Sequence, residues 1–189
     1  MVIAGGGAIA ARKAKVLSEE HANITFVAPE FCTQILELAR EHQYTLVERD
    51  AVPNDFRNAF LVIIATNSRD INKSLVTSLH TYQLVCVVDD HEKGNVVFPA
   101  SVKRGHLQLA ITTNGASPKL TKKLKSEFED QFDESWVQYT DFLFLCRTII
   151  KKLEISDAEK NQRLARLLDE RYHTNIEAQK QELEELSKL

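Results

Sequence analysis

Short apolar runs and longer amphipathic stretches alternate over the first 90 residues of the chain. The runs are typical of strands that are covered on both faces, and the amphipathic stretches carry apolar residues at helical spacing. We predict strands at residues 1–4, 23–28, 44–47, 60–66 and 84–88. We predict helices at residues 9–17, 31–40 and 70–80. This alternating order predicts an α/β fold with a doubly wound parallel sheet.

A turn of three glycines joins the first predicted strand to the first predicted helix. Its pattern from Gly5 is Gly-x-Gly-x-x-Ala, the dinucleotide fingerprint with Ala10 in the third position. Gly5 would make the tight turn, and Gly7 has no side chain to block a pyrophosphate. The pyrophosphate would bind the free N–H groups at the positive end of the helix. The pattern therefore predicts a dinucleotide site, with a plain βα turn as the alternative.

Polar residues follow three of the predicted strands, at the edge where doubly wound sheets bind ligands. Glu30 could hold ribose hydroxyls, although an exposed acid at a helix start fits equally well. Thr66 and Asn67 should lie beside the glycine turn, and Asp89 and Asp90 follow the fifth strand. The predicted cofactor contacts are Gly5, Gly6, Gly7, Ala8, Ile9, Glu30, Thr66 and Asn67.

The pattern changes after residue 90. A short extended piece covers residues 96–100, and Gly105 separates residues 101–104 from an alternating strand at residues 107–113. This arrangement predicts an antiparallel pair. Ser117 is a good N-cap and Pro118 a good first helical residue, so we predict a lysine-rich helix over residues 119–132.

The chain from residue 135 onward is predicted to be helical. The apolar face of the first helix is formed by Trp136, Tyr139, Phe142, Leu143, Leu145 and Ile149. Such a face is more typical of a core than of a cofactor site. Ser156 and Glu159 have the spacing of a capping box, which predicts the start of another helix. Residues 175–189 are strongly charged, with Leu183, Leu186 and Leu189 on one side, as in a solvated helix.

Composition narrows the function classes. The chain has 189 residues, 43% hydrophobic and 27% charged, which is ordinary for a globular protein. A net charge of -3 gives no indication of nucleic-acid binding, and no apolar run is long enough to span a membrane. Cys32, Cys86 and Cys146 are too few and too far apart for a disulfide framework, and the histidines lack metal-ligand spacing. We expect a cytoplasmic protein without a permanently bound metal.

Several short segments occur together in a characteristic order. They are the glycine turn with Arg12-Lys13, Val27-Ala28-Pro29-Glu30, Ala65-Thr66 with Asn72, Val87-Val88-Asp89-Asp90, Phe98-Pro99-Ala100 and Thr113-Asn114-Gly115-Ala116-Ser117-Pro118. In this order, over residues 1 to about 130, they resemble the precorrin-2 dehydrogenases, the N-terminal module of sirohaem synthases. The helical C-terminal part is similar only in character. Cys86 stands where this family often has Asn.

The resemblance implies a Rossmann-like NAD domain at residues 1–98, a small α+β dimerisation region at 99–133 and a helical C-terminal domain at 134–189, in a homodimer. It implies NAD-dependent oxidation of precorrin-2 to sirohydrochlorin, on the path to sirohaem. In some members the same site also inserts iron, with ferrous ion as a second substrate. The important aspartate of the family falls on Asp89, and its hydroxyl residue falls on Thr113.

This oxidation removes a hydride and a proton from the tetrapyrrole, so a carboxylate at the edge of the sheet could accept the proton. Asp89 is the expected catalytic carboxylate, and Thr113 is the other expected catalytic residue. Asp90 is the second candidate for the carboxylate. Iron insertion would use Asp89, His91 or Thr113. The substrate carries many carboxylates, so basic groups should surround it. The predicted substrate contacts are Lys103, Arg104, Ser117 and Lys119, with ordinary surface charge as the alternative.

Two other functions fit the same residues. The chain could be an NAD-binding sensing or assembly module without catalysis, or an NAD oxidoreductase that acts on another small substrate. No arginine directly follows the second predicted strand to bind a 2′-phosphate, which favours NAD over NADP.

Overall fold

The computed structural model describes residues 1–188, with the backbone alone for His91. Contacts divide the chain into two units, Met1–Phe98 and Pro99–Leu189. In the first unit the strands are β1 (Val2–Ala4), β2 (Thr25–Ala28), β3 (Thr45–Glu48), β4 (Leu61–Ile64) and β5 (Leu84–Val87). The helices are α1 (Ala8–Ser18), α2 (Thr33–His42) and α3 (Arg69–Thr77). The strand order is β3-β2-β1-β4-β5, and each neighbouring pair is parallel. The predicted doubly wound sheet is therefore confirmed.

Both faces of this sheet are buried. Ile3 and Ile63 pack on one face with α1, whereas Val2 and Val62 pack on the other, because side chains alternate along a strand. This explains the continuous apolar runs in the sequence. Phe60 was predicted to start the buried fourth strand, and this is wrong: its side chain is 70% exposed, and neither core cluster of this unit's described residues includes it.

The second unit begins with an antiparallel hairpin of β6 (Ala100–Arg104) and β7 (Leu107–Ile111). The antiparallel pair is confirmed. Of the extended piece predicted at residues 96–100, only Ala100 belongs to the hairpin, and residues 96–99 precede it. The pairing is set by a tight turn in which Gly105 has a φ of +56°. An added Cβ there would lie 2.6 Å from Thr140 Oγ1, so glycine is required for both reasons.

The rest of this unit is helical, as predicted. The helices are α4 (Pro118–Gln131), α5 (Ser135–Lys152), α6 (Asp157–Arg166), α7 (Glu170–Thr174) and α8 (Ile176–Ser187). Ser117 caps α4 and the Ser156–Glu159 capping box starts α6, which confirms both predictions. Leu145, predicted to face the core, is 50% exposed, because the buried stripe of α5 runs through Phe142, Cys146 and Ile150.

Two observations bear on other expectations from the sequence. None of the described helices combines the length and the apolar character that a membrane span requires. Leu189, predicted to lie on the apolar side of the last helix, is outside the described residues.

Candidate functional site

A cavity of about 470 Å³ lies at the carboxyl edge of the parallel sheet. Its walls come from the segments that follow β1, β2, β3 and β4, so it spans the point where the strand order reverses. Ligands of doubly wound sheets bind at this point. The predicted cofactor residues that line the cavity are Gly5, Gly6, Gly7, Glu30, Thr66 and Asn67. Ala8 and Ile9 lie at the start of α1 with exposed side chains, and their predicted contacts with the cofactor stay predictions.

The three glycines of the turn serve different purposes. Gly5 has a φ of +129°, and a Cβ there would lie 2.3 Å from the carbonyl oxygen of Ala65. A Cβ on Gly6 would lie 1.7 Å from the carbonyl oxygen of Glu30. Gly7 is different, because a Cβ there would meet no described atom within 4 Å. The folded chain therefore needs Gly5 and Gly6, whereas the space beside Gly7 is open to a ligand.

The first turn of α1 is suited to an anion. Gly7 is the N-cap and supplies no side-chain hydrogen bond, and α1, which the structure describes completely, has no acidic residue in its first turn. Its first N–H groups have no partner within the helix and carry the positive end of the helix dipole. Together with the space beside Gly7, this arrangement fits the pyrophosphate of a dinucleotide.

Two acidic residues line the same cavity, Glu30 after β2 and Asp50 after β3. Asp50 was missed from the sequence, although it follows a predicted strand and the rule used for Glu30 could have found it. The neighbouring Arg49 is not available to the cavity as a free cation, because its guanidinium binds Asp55 at 2.8 and 2.5 Å. This hydrogen bond holds the pKa of Asp55 below its usual value. Among the described lining residues none is basic, which is the lining expected for NAD rather than NADP.

The predicted catalytic carboxylate is connected to this cavity through one amide. Thr66 Oγ1 donates to Asn72 Oδ1 at 2.5 Å, and Asn72 Nδ2 donates to Asp89 Oδ1 at 3.2 Å. Asn72 is only 2% exposed, whereas Asp89 is exposed. The amide therefore holds a solvent-facing carboxylate against the wall of the cofactor cavity.

A smaller polar cavity of about 170 Å³ includes Asp89. Arg69 and Lys73 line it from α3, and Asp90 lines it with Lys93, whose Nζ lies 2.5 Å from Asp90 Oδ2. Asp90 is thus paired with a cation within its own segment. The side chain of His91, a candidate for iron insertion, is outside the described residues.

The remaining predicted residues lie in the second unit. Thr113 Oγ1 accepts a hydrogen bond from Ser117 N at 3.1 Å and lies 3.2 Å from Thr121 Oγ1. Ser117 Oγ in turn accepts from Leu120 N at the start of α4. Thr113 and Ser117 are therefore brought together at one helix start. Their roles towards a substrate stay predictions.

The predicted basic contacts differ in their surroundings. Arg104 is largely covered: its Nε lies 3.3 Å from Glu134 Oε1, and its guanidinium donates to the carbonyl oxygens of Lys103 and Glu129. Lys103 and Lys119 are exposed on the same unit. Arg104 thus has partners within its own unit, and a substrate carboxylate would have to compete with Glu134 for its guanidinium group.

Comparison with known proteins places this geometry in a family. Residues 1–100 match a family model described as putative NAD(P)-binding, residues 104–131 match the sirohaem biosynthesis protein central model, and residues 136–182 match the SirC C-terminal domain. The chain is 36% identical over 188 residues to a precorrin-2 dehydrogenase of Priestia megaterium, covering 100% of this chain and 93% of that protein. The chain belongs to the precorrin-2 dehydrogenase family.

Other members of this family agree in sequence and structure. A precorrin-2 dehydrogenase of Bacillus subtilis (strain 168) is 40% identical over 147 residues, which are 78% of this chain and 91% of that protein. A siroheme synthase of Pseudoalteromonas translucida is 35% identical over 130 residues, but these make up only 28% of its length. The solved structure of SirC, precorrin-2 dehydrogenase, superposes with a TM-score of 0.90 at 36% identity and covers 100% of this chain. The predicted family and NAD cofactor are confirmed.

Proposed function

We propose that the chain catalyses the NAD-dependent dehydrogenation of precorrin-2 to sirohydrochlorin, the oxidation step of sirohaem synthesis. The observation that carries this proposal is the 36% identity to a precorrin-2 dehydrogenase over the whole chain. The cavity at the glycine turn supports it, because the open space beside Gly7 lies where a dinucleotide needs it.

NAD fits the residues that line this cavity. The glycine turn and the N–H groups at the start of α1 would hold the pyrophosphate, and Glu30 and Asp50 would accept hydrogen bonds from ribose hydroxyls. The aliphatic side chain of Ile71 and the wall at Ala51 would exclude water from its apolar parts. When bound, NAD supplies an acceptor for the hydride that the tetrapyrrole loses.

Asp89 would take the proton that accompanies this hydride. Its Oδ1 accepts the hydrogen bond from Asn72, and among the described residues no hydrogen bond reaches its Oδ2. Oδ2 of the exposed carboxylate is therefore the atom that can accept a proton from the substrate. We propose that the substrate carboxylates contact Lys103, Lys119 and the N–H groups at the start of α4 that the Ser117 side chain does not cap. We also propose that the substrate contacts the hydroxyl group of Thr113.

The proposal also includes the location of the protein, its oligomeric state and its division into domains. We propose a cytoplasmic homodimer, with the dimerisation region at residues 99–133 and the helical domain at residues 134–189. Phe144 and Leu145 on α5 are each about half exposed, which supports an interface in this unit. Arg104 would then serve mainly to hold the hairpin to α5 through Glu134. Ferrous ion as a second substrate stays an expectation from the family resemblance.

The test is the absorbance of an anaerobic mixture of the protein, precorrin-2 and NAD, with and without ferrous or cobalt ion. We expect sirohydrochlorin to appear only when NAD is present. A further change that depends on the metal and exceeds the spontaneous rate would add iron insertion. Protein that binds NAD but produces no sirohydrochlorin would favour a sensing module or a different substrate.

A further inference from the structure

Asn72 carries a buried amide that does not line the cofactor cavity. It is 2% exposed and lies on α3, between Thr66 on the wall of the cofactor cavity and the carboxylate of Asp89. A buried amide is costly unless its donors and acceptor find partners. Here Oδ1 accepts from Thr66 Oγ1 at 2.5 Å, and Nδ2 donates to the carbonyl oxygen of Thr66 at 3.3 Å and to Asp89 Oδ1 at 3.2 Å.

The partners of Asn72 allow only one orientation of its amide. Both groups facing Nδ2, the Thr66 carbonyl and the Asp89 carboxylate, can only accept hydrogen bonds. A flipped amide would direct its oxygen at these two oxygens, and no hydrogen atom would then lie between the three oxygens to form a hydrogen bond. The amide therefore presents its NH₂ group to Asp89, and the hydroxyl of Thr66 holds the other end.

This orientation determines what the carboxylate can do. Because Asn72 occupies Oδ1, the carboxyl group of Asp89 cannot rotate freely, and Oδ2 stays available for a proton. Thr66 lines the cofactor cavity, so the same hydrogen bonds fix the carboxylate relative to the wall of the cavity that would hold NAD. Hydride and proton must leave one substrate, and a fixed geometry between their two acceptors favours that.

We propose that Asn72 is the positioning residue of the dehydrogenase, which holds Asp89 in the orientation that accepts the proton. This inference rests on the proposed function, because it assigns Asn72 a role through Asp89 in the same reaction. It predicts that changes at Asn72 alter turnover and its pH dependence more than they alter NAD binding.

The informative substitution is Asn72→Asp. The new side chain has nearly the same shape and still accepts from the Thr66 hydroxyl, but it turns an oxygen towards Asp89 Oδ1. We expect kcat to fall by roughly tenfold to a hundredfold, the effect of losing a hydrogen bond to a charged group. In this variant the new carboxylate and Asp89 would both be anions at hydrogen-bond distance, and their repulsion favours keeping one proton on the two carboxylates up to a higher pH. The reaction needs the unprotonated carboxylate, so the acidic limb of the pH profile should move to higher pH.

Two further variants separate positioning from simple loss of structure. Asn95→Asp is the matched control, since Asn95 also donates to a carbonyl oxygen in this unit, that of Gln83, but does not touch Asp89. If the inference holds, this variant leaves the acidic limb where it is in the parent, whatever it does to the melting temperature. Asn72→Ala removes the amide without adding a charge and should lower kcat while keeping the affinity for NAD.

The measurements are kcat and KM for both substrates over a range of pH, with NAD affinity determined separately by calorimetry. A normal kcat and an unmoved acidic limb in Asn72→Asp would overturn the inference, as would a loss of NAD affinity that accounts for the whole effect. If Asn72→Asp does not fold, normal kcat in Asn72→Ala overturns it equally. Failure of the proposed function is distinguishable, because the unmodified protein would then produce no sirohydrochlorin.

Discussion

The contrast between two neighbouring glycines offers a sharp prediction about the cofactor cavity. Gly7→Ala places a methyl group where no described atom lies within 4 Å, at a φ of -95° that alanine adopts readily. Gly6→Ala places the same group 1.7 Å from the carbonyl oxygen of Glu30. Gly7→Ala should therefore change the free energy of unfolding by no more than about 0.5 kcal/mol. Gly6→Ala should lower it by about 1–3 kcal/mol, because the backbone of Glu30 must move.

Gly7→Ala should weaken NAD binding, although it leaves the stability of the protein nearly unchanged. The methyl group of Gly7→Ala occupies the space proposed for the pyrophosphate, and we expect Kd for NAD to rise at least about tenfold, which is about 1.4 kcal/mol. Urea denaturation measures the stability of both variants, and calorimetry measures Kd. Gly7→Ala protein that is as stable as the parent and binds NAD with the same Kd would refute this placement of the pyrophosphate.

Three further predictions follow from the site and from the second unit. Asp89→Asn should keep NAD affinity but lower turnover by at least about a hundredfold, as for other general bases, and steady-state kinetics would reveal an unchanged kcat if the assignment is wrong. Cys32 lines the cofactor cavity, whereas Cys86 is buried, and burial raises the pKa of the Cys86 thiol. Iodoacetamide should therefore label Cys32 first, and bound NAD should slow the labelling of Cys32. Mass spectrometry measures this labelling, and equal labelling of Cys32 with and without NAD would contradict the prediction. Glu182 is buried, which raises its pKa, but the Tyr172 hydroxyl and an arginine hydrogen-bond its carboxylate, and the net pKa lies below its ordinary value. A lowered pKa in the folded state stabilises the protein above the unfolded pKa, and this contribution is lost as the pH falls through the folded pKa. Glu182→Gln should therefore lower stability by about 1–3 kcal/mol at pH 7 and much less at acidic pH, and an equal loss at both pH values in urea denaturation would contradict this sign.

The fold could be predicted from the sequence because its signals are local. Continuous apolar runs such as residues 61–64 indicate strands buried on both faces, and small residues such as Ala10 allow α1 to pack closely. The errors also have local causes. Leu145 was assigned to the core because its helix is apolar on more than one side, and only packing against the neighbouring helices selects Cys146 instead.

The site was predictable where the chain order determines it and not where tertiary contacts do. The glycine turn and Asp89 follow strands, so the carboxyl-edge rule places them. The need for Gly6 comes from a backbone oxygen distant in sequence, that of Glu30, and no pattern indicates it. Likewise, the contact between Asn72 and Asp89 joins residues 17 positions apart, which only the structure brings together.

Oxidation of precorrin-2 by this chain, with NAD as the hydride acceptor, can be followed in solution. It is tested most directly by a single anaerobic reaction in which NADH and sirohydrochlorin are quantified together as a function of time. We predict that the two products form at the same rate and in equal amounts. Sirohydrochlorin formation without NADH, or none at all in protein that binds NAD, would contradict it.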